Sequence, residues 1–235
     1  QELPRIAALR AGAKLEDPLV VKHLVDMTKS ESAESRRQAV SLLRDMQLDP
    51  RIDTALRGLL NDDDVDVRLA AYEALIERAD PFIDRHVVDD KFVLDVIDSD
   101  TPLIYITQVG RPRVAVFGRD LSLDRPLLVD AWSGRFIVKA EEDEEQVEVY
   151  YRPETGGERL IQETDPRLEE FIQFLGHETT IERPDPGLGL SYGETVGALY
   201  RIWREPRRMI PRYSADTFFL LKAVLRDLFL RGERR

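Results

Sequence analysis

Asp64-Val65-Asp66-Val67-Arg68-Leu69-Ala70-Ala71-Tyr72-Glu73-Ala74-Leu75 decides how the first third of the chain is read. Val67, Ala70, Ala71, Ala74 and Leu75 recur at helical spacing, which predicts a helix over about 65–78, and the small alanines let a neighbouring helix approach closely. Upstream, the polar turn Asn61 to Asp64 follows a helix expected at about 50–60. That helix is opened by Asp49-Pro50, where an aspartate can cap free amides and a proline in the first turn loses no needed N–H. The same grammar stands one unit earlier. Asp17-Pro18 opens a helix at about 18–28, Ser30 to Ser32 form the turn, and Ala39, Val40, Leu42, Leu43 and Met46 mark a second helix at about 34–46. A single offset of about 32 residues carries Leu24 onto Leu56, Ala39 onto Ala71 and Leu43 onto Leu75.

The quoted stretch resembles the second helix of HEAT repeats, in which an acidic turn leads into Val-Arg and then Ala and Leu at fixed steps. The first copy departs from this pattern, with Ser35-Arg36 where Val-Arg would stand. Arg5-Ile6-Ala7-Ala8-Leu9 looks like the tail of a still earlier second helix. The resemblance implies a short α-solenoid over about 17–80, within a first domain of residues 1–88. So few repeats bury little by themselves, because each needs a neighbour over its apolar face. A longer parent protein, or a cover from another domain or subunit, is therefore expected at the N-terminal edge. A third repeat begins at Asp80-Pro81 and fails.

From Lys91 the apolar period changes to two. Residues 92–97, 103–107, 113–117, 127–130, 135–140 and 147–152 read as strands bounded by turn residues. Short links such as Val109-Gly110-Arg111-Pro112 and Trp132-Ser133-Gly134 imply hairpins, and hence an antiparallel sheet over about 91–164. Three helices should follow: about 165–176 after Asp165-Pro166, about 191–204 opened by Ser191-x-x-Glu194 as a capping box, and about 214–231 before Gly232. The last is rich in Phe218, Phe219, Leu220, Leu221, Val224, Leu225, Leu228 and Phe229 and should be covered over most of its circumference. The expected fold class is α+β: a short HEAT-like α-solenoid, then an antiparallel sheet domain (89–235) with C-terminal helices over about 165–231.

The 235 residues are 43% apolar and 34% charged, enough for a sizeable core in one or two domains. No run approaches the roughly 18 apolar residues of a membrane span. The absence of cysteine excludes disulfides, thiolate catalysis and Cys-based zinc sites. A net charge of −11 argues against general nucleic-acid binding, which needs phosphate neutralisation. From Arg201 onward, however, the balance is about +6. Arg204, Arg207, Arg208 and Arg212, with Phe218 and Phe229, are thus the candidate partner-binding residues, and an anionic partner could meet this basic end.

Several groupings suggest chemistry and fail on spacing. Gly189-Leu190-Ser191-Tyr192-Gly193 matches a nucleophile elbow, but no strand precedes it and His23, His86 and His177 all lie upstream. Gly187, Gly189 and Gly193 lack both the spacing and the βαβ setting of a dinucleotide-binding turn. Asn61-Asp62-Asp63-Asp64-x-Asp66 lacks the glycine and the distant glutamate of an EF-hand, and suits the positive end of a helix dipole. Glu141 to Glu145 read as a solvated hairpin tip. The three histidines show no metal spacing. No catalytic residue, cofactor or metal ligand is assigned, and the chain is expected not to be an enzyme.

The order of helical repeat, then Pro102-Leu103-Ile104-Tyr105-Ile106-Thr107 and Arg113-Val114-Ala115-Val116-Phe117-Gly118, then Gly187-Leu188-Gly189-Leu190-Ser191-Tyr192-Gly193 before a helix, resembles a C-terminal extension of flagellar basal-body P-ring-like proteins over residues 64–200. The ring-forming core of that family is not visible. The resemblance implies a periplasmic or cell-envelope structural module that contacts protein partners, including copies of itself. Without it, the alternatives are a cytoplasmic HEAT-repeat adaptor that binds another protein, or a small-ligand binder or enzyme built on the sheet domain.

Overall fold

The computed structural model describes residues 2–15, 17–47, 49–107, 110–154, 156–204 and 218–221. The chain divides into two compact units, Gln1–Ile83 with Asp98–Asp100, and Asp84–Ile97 with Thr101–Arg235. It is a mixed α+β chain.

In the first unit α1 (Glu2–Lys14), α2 (Pro18–Met27), α3 (Ala33–Leu43), α4 (Pro50–Gly58) and α5 (Val65–Glu77) follow one another, with one 3-10 turn at Leu59–Asn61. The caps explain the boundaries. Asp17 Oδ1 accepts from Leu19 N and Asp49 Oδ1 from Arg51 N, each at 2.9 Å, while Ser32 Oγ accepts from Ser35 N at 3.3 Å. Asp64 Oδ1 serves both Asp66 N and Val67 N, at 3.0 and 3.1 Å. The α2 helix packs on α3 and α4 on α5, and the two pairs meet through α2 against α4 and α3 against α5. Leu24, Leu43, Leu56 and Leu75 are fully enclosed between them, each worth about 2 kcal/mol of apolar burial. Arginines join the pairs: Arg36 holds Asp62 through two bonds of 2.6 and 2.7 Å and donates to the carbonyls of Ser30 and Glu31.

Asp80-Pro81 repeats the local turn without launching a helix. Asp80 Oδ1 accepts from Phe82 N at 3.0 Å and its carboxylate pairs with Arg57, whose guanidinium lies 3.8 Å from the centre of the Phe82 ring. The chain then runs into a strand at Asp84–Val88, although the first copy carries two valines at the matching positions, Val21 and Val25, within a helix.

Among the described residues the second unit has nine strands: β1 (Asp84–Val88), β2 (Phe92–Ile97), β3 (Leu103–Thr107), β4 (Arg113–Phe117), β5 (Leu127–Ala131), β6 (Phe136–Ala140), β7 (Val147–Tyr151), β8 (Leu160–Thr164) and β9 (Phe218–Leu221). Its helices are α6 (Leu168–Gly176) and α7 (Tyr192–Arg204). The single antiparallel sheet expected from the hairpins is replaced by two sheets. One is an antiparallel meander, β5-β6-β7-β8; the other, ordered β1-β2-β4-β3-β9, is mixed, with β2 parallel to β4 and β3 parallel to β9. The reason is that the β3–β4 hairpin folds back so that β4, not β3, lies beside β2. The link from β2 to β4 thus passes through β3 and is long enough for a parallel pair.

The helix expected over about 214–231 is also corrected. Phe218–Leu221 is a strand registered on Leu103–Ile106, and the remainder of that segment lies outside the described residues. Four consecutive apolar residues suit a buried strand as well as a helix. One core fills the space among the sheets and helices, built from Phe92, Leu94, Val116, Val129, Phe136, Val138, Val149, Phe171, Leu175 and Leu199. The β2 strand is buried on both faces, which explains its near-continuous apolar sequence.

Candidate functional site

In the helical unit a groove of about 540 Å³ opens along α2 and α4. Val25, Thr28, Ala55 and Leu59 line it, Thr54 and Gly58 leave it shallow, and Lys29 and Arg51 flank it. These positions fall on one side of α4 because Thr54 and Gly58 are four residues apart. A Cβ built on Gly58 would meet nothing within 4 Å, so the backbone there faces open space. Arg51 is held by Asp49 at 2.7 Å, which raises its pKa through that hydrogen bond and leaves it charged. Such a surface, apolar along its length with cations beside it, can receive an apolar segment of another chain.

Of the basic and aromatic residues singled out at the C-terminal end, Arg204 is exposed on the last turn of α7, its guanidinium 5.6 Å from the centre of the Tyr200 ring. Tyr200 and Trp203 have their rings 5.9 Å apart on the same turn. Phe218 belongs to β9. Arg207, Arg208, Arg212 and Phe229 lie outside the described residues.

The glycine-rich segment before α7 has its own structural employment. Leu188 N, Gly189 N and Leu190 N donate to the carbonyls of Phe174, His177 and Leu175, at 3.0, 2.6 and 2.9 Å. Those amides close the end of α6 and so do not form a phosphate cradle. Ser191 and Glu194 make the reciprocal bonds of a capping box: Ser191 N donates to Glu194 Oε2 at 3.0 Å and Glu194 N to Ser191 Oγ at 3.3 Å. Lys91 Nζ donates to Gly176 O and Gly189 O, at 2.8 and 2.9 Å, placing a cation at the negative end of α6.

The β1–β2 turn supplies a second polar cluster. Asp89 and Asp90 have φ of 45 and 55°, and Asp89 accepts from Glu178 N at 2.6 Å and from Arg183, with His177 Nδ1 3.3 Å away. Burial opposes ionisation of Asp89, but the bonds from Glu178 and His177 and the charges of His177 and Arg183 outweigh it, and its pKa is lowered. His177 Nε2 is enclosed and accepts or donates no hydrogen bond. Burial pushes the Tyr151 hydroxyl up to about 12, with the Glu194 carboxylate adding to the effect, so this phenol stays protonated at neutral pH.

The acidic runs behave as turns. Residues 141–146 are all exposed in the β6–β7 link. Asp62 is occupied by Arg36 and by Asp64 N at 2.9 Å, and Asp64 by its cap.

One convergence was hidden in the sequence. Asp84 and His86 on β1 meet Glu169 in the first turn of α6, with His86 Nε2 3.4 Å from Asp84 Oδ1 and 3.1 Å from Glu169 Oε1. The signal was the spacing Asp84-x-His86, which puts two side chains on one face of a strand. Reading that stretch as an abortive repeat concealed it. No family model, no curated protein and no solved structure matches this chain.

Proposed function

We propose that the chain is a non-enzymatic assembly module that makes protein–protein contacts through its helical unit, joining copies of itself within a larger structure. The observation that carries this reading is the apolar groove along α2 and α4, with Gly58 leaving its floor open. Supporting it, the two helix pairs share one offset, one aspartate–proline opening and an arginine at the same place, Arg36 and Arg68, which is the pattern of a HEAT-type pair of repeats. Arg36 reaches forward to Asp62 in the following turn, as stacked repeats do when each relies on its neighbour. The resemblance to an extension of flagellar P-ring-like proteins adds a setting: a cell-envelope ring in which many copies stand side by side. Lys29 and Arg51 beside the groove fit a partner segment that is apolar with acidic flanks, and the net charge of −11 means that a second copy offers such acid.

Light scattering over a concentration series tests the reading. The average mass of the native chain should rise with concentration, and Gly58→Trp, which fills the groove on an exposed position, should hold it at the monomer. A native chain that stays monomeric throughout, or a Gly58→Trp variant that associates equally, would count against it.

A further inference from the structure

We propose that Asp84, His86 and Glu169 form a binding site for one first-row divalent transition-metal ion, with zinc as the probe. The site lies wholly within the second unit and does not depend on the groove described above. Three donor atoms, His86 Nε2 and one carboxylate oxygen each from Asp84 and Glu169, lie within 4.8 Å of one another. The two separations from the imidazole match those of ligands that share an ion. With metal–ligand bonds of about 2.0–2.1 Å, the donors of a tetrahedral ion stand about 3.3 Å apart. The two distances from His86 Nε2 are 3.1 and 3.4 Å.

The state of the imidazole adds a second observation. His86 Nε2 is enclosed, and although two carboxylates stand within ion-pairing distance it makes a hydrogen bond to neither. A buried polar nitrogen left without a hydrogen bond calls for a partner, and an ion held among the three groups would take its lone pair.

The donor set selects the class of ion. One imidazole with two carboxylates suits zinc or a neighbouring divalent metal, whereas calcium and magnesium prefer all-oxygen shells. Three protein ligands leave a coordination position, and the half-exposed Asp84 side is where water would complete it. An ion here would bridge β1, at the edge of the mixed sheet, to α6.

The test is zinc titration of the full chain by calorimetry, with Co²⁺ absorption as a second readout, on the native protein and on His86→Ala, Glu169→Gln and the control His23→Ala. The expected result is one equivalent per chain, bound at least tenfold more weakly in His86→Ala and Glu169→Gln and unchanged in His23→Ala. Native protein with Co²⁺ should show the visible bands of a four-coordinate ion with nitrogen and oxygen ligands. Glu169→Gln keeps shape and volume, so it serves even if His86→Ala fails to fold. The proposal is overturned if the native chain shows no saturable zinc binding, if magnesium binds as well as zinc, or if both substitutions leave zinc affinity intact. It is also overturned if they lower thermal stability equally with and without zinc, the signature of an ion pair alone.

Discussion

Arg78 shows how one side chain decides whether the two helix pairs hold together. Its guanidinium is nearly buried, donates to Asp53 Oδ1 at 2.6 Å and to Met46 O at 2.6 Å, and so closes the free carbonyl end of α3 from the next pair of helices. Arg78→Met should cost about 3 kcal/mol, because it leaves Asp53 and those carbonyls unmatched in a partly dry place; a fall in the urea midpoint at unchanged slope would measure it. Asp89 carries a pH dependence. Its folded pKa is lowered, so its contribution is present above the unfolded carboxylate value near about 4 and fades as pH falls through the folded one. Asp89→Asn should therefore lose about 2 kcal/mol at neutral pH and show a shallower decline in stability on acidification, read from denaturation curves between neutral and acidic pH. At this scale the sequence was partly legible. Asp17, Asp49, Asp80 and Asp165 each precede a proline, and each accepts the N–H two residues on, at 2.9, 2.9, 3.0 and 2.7 Å. The motif fixes the turn, but whether a helix follows depends on the residues after it, as Asp80 demonstrates.

Among the elements, α6 and α7 illustrate two kinds of boundary. At the end of α6, a Cβ on Gly176 would lie 2.7 Å from Phe92 Cε1 and from Val88 Cγ1, so glycine is required for the helix to reach β1 and β2. Gly176→Ala should destabilise by about 1–3 kcal/mol through overpacking, visible as a lower thermal midpoint. Ser191→Ala should cost about 1 kcal/mol by removing the α7 cap, with far-UV dichroism reporting the loss of helix on mild heating. The strands over 92–117 were readable as short apolar runs between turn residues, and those over 127–151 from period-two alternation. Three others, β1, β8 and β9, were not. The β1 strand begins with Asp84-Arg85-His86, which carries no apolar alternation, and β8 exposes Ile161 while burying Thr164, so neither face announces itself. The division into two sheets was equally hidden, since the placing of β4 beside β2 is a long-range pairing that no local link encodes. The metal-type cluster followed the same fate, as it needs β1 to be known before Asp84 and His86 can be seen to share a face.

For the whole molecule, the chain is a helical unit and a two-sheet unit, each with its own buried centre. The proposed protein contacts belong to the first and, independently, the proposed metal ion to the second. Of the candidate partner residues at the basic C-terminal end, Arg204 lies beside Tyr200 on α7 and Phe218 belongs to β9. The contact proposed along α2 and α4 is between copies of this chain. Hydrogen–deuterium exchange of the native protein at low and high concentration tests it most directly. Protection should rise with concentration in residues 25–29 and 50–59, and Gly58→Trp should abolish the rise; equal protection of those segments at every concentration would rule the contact out.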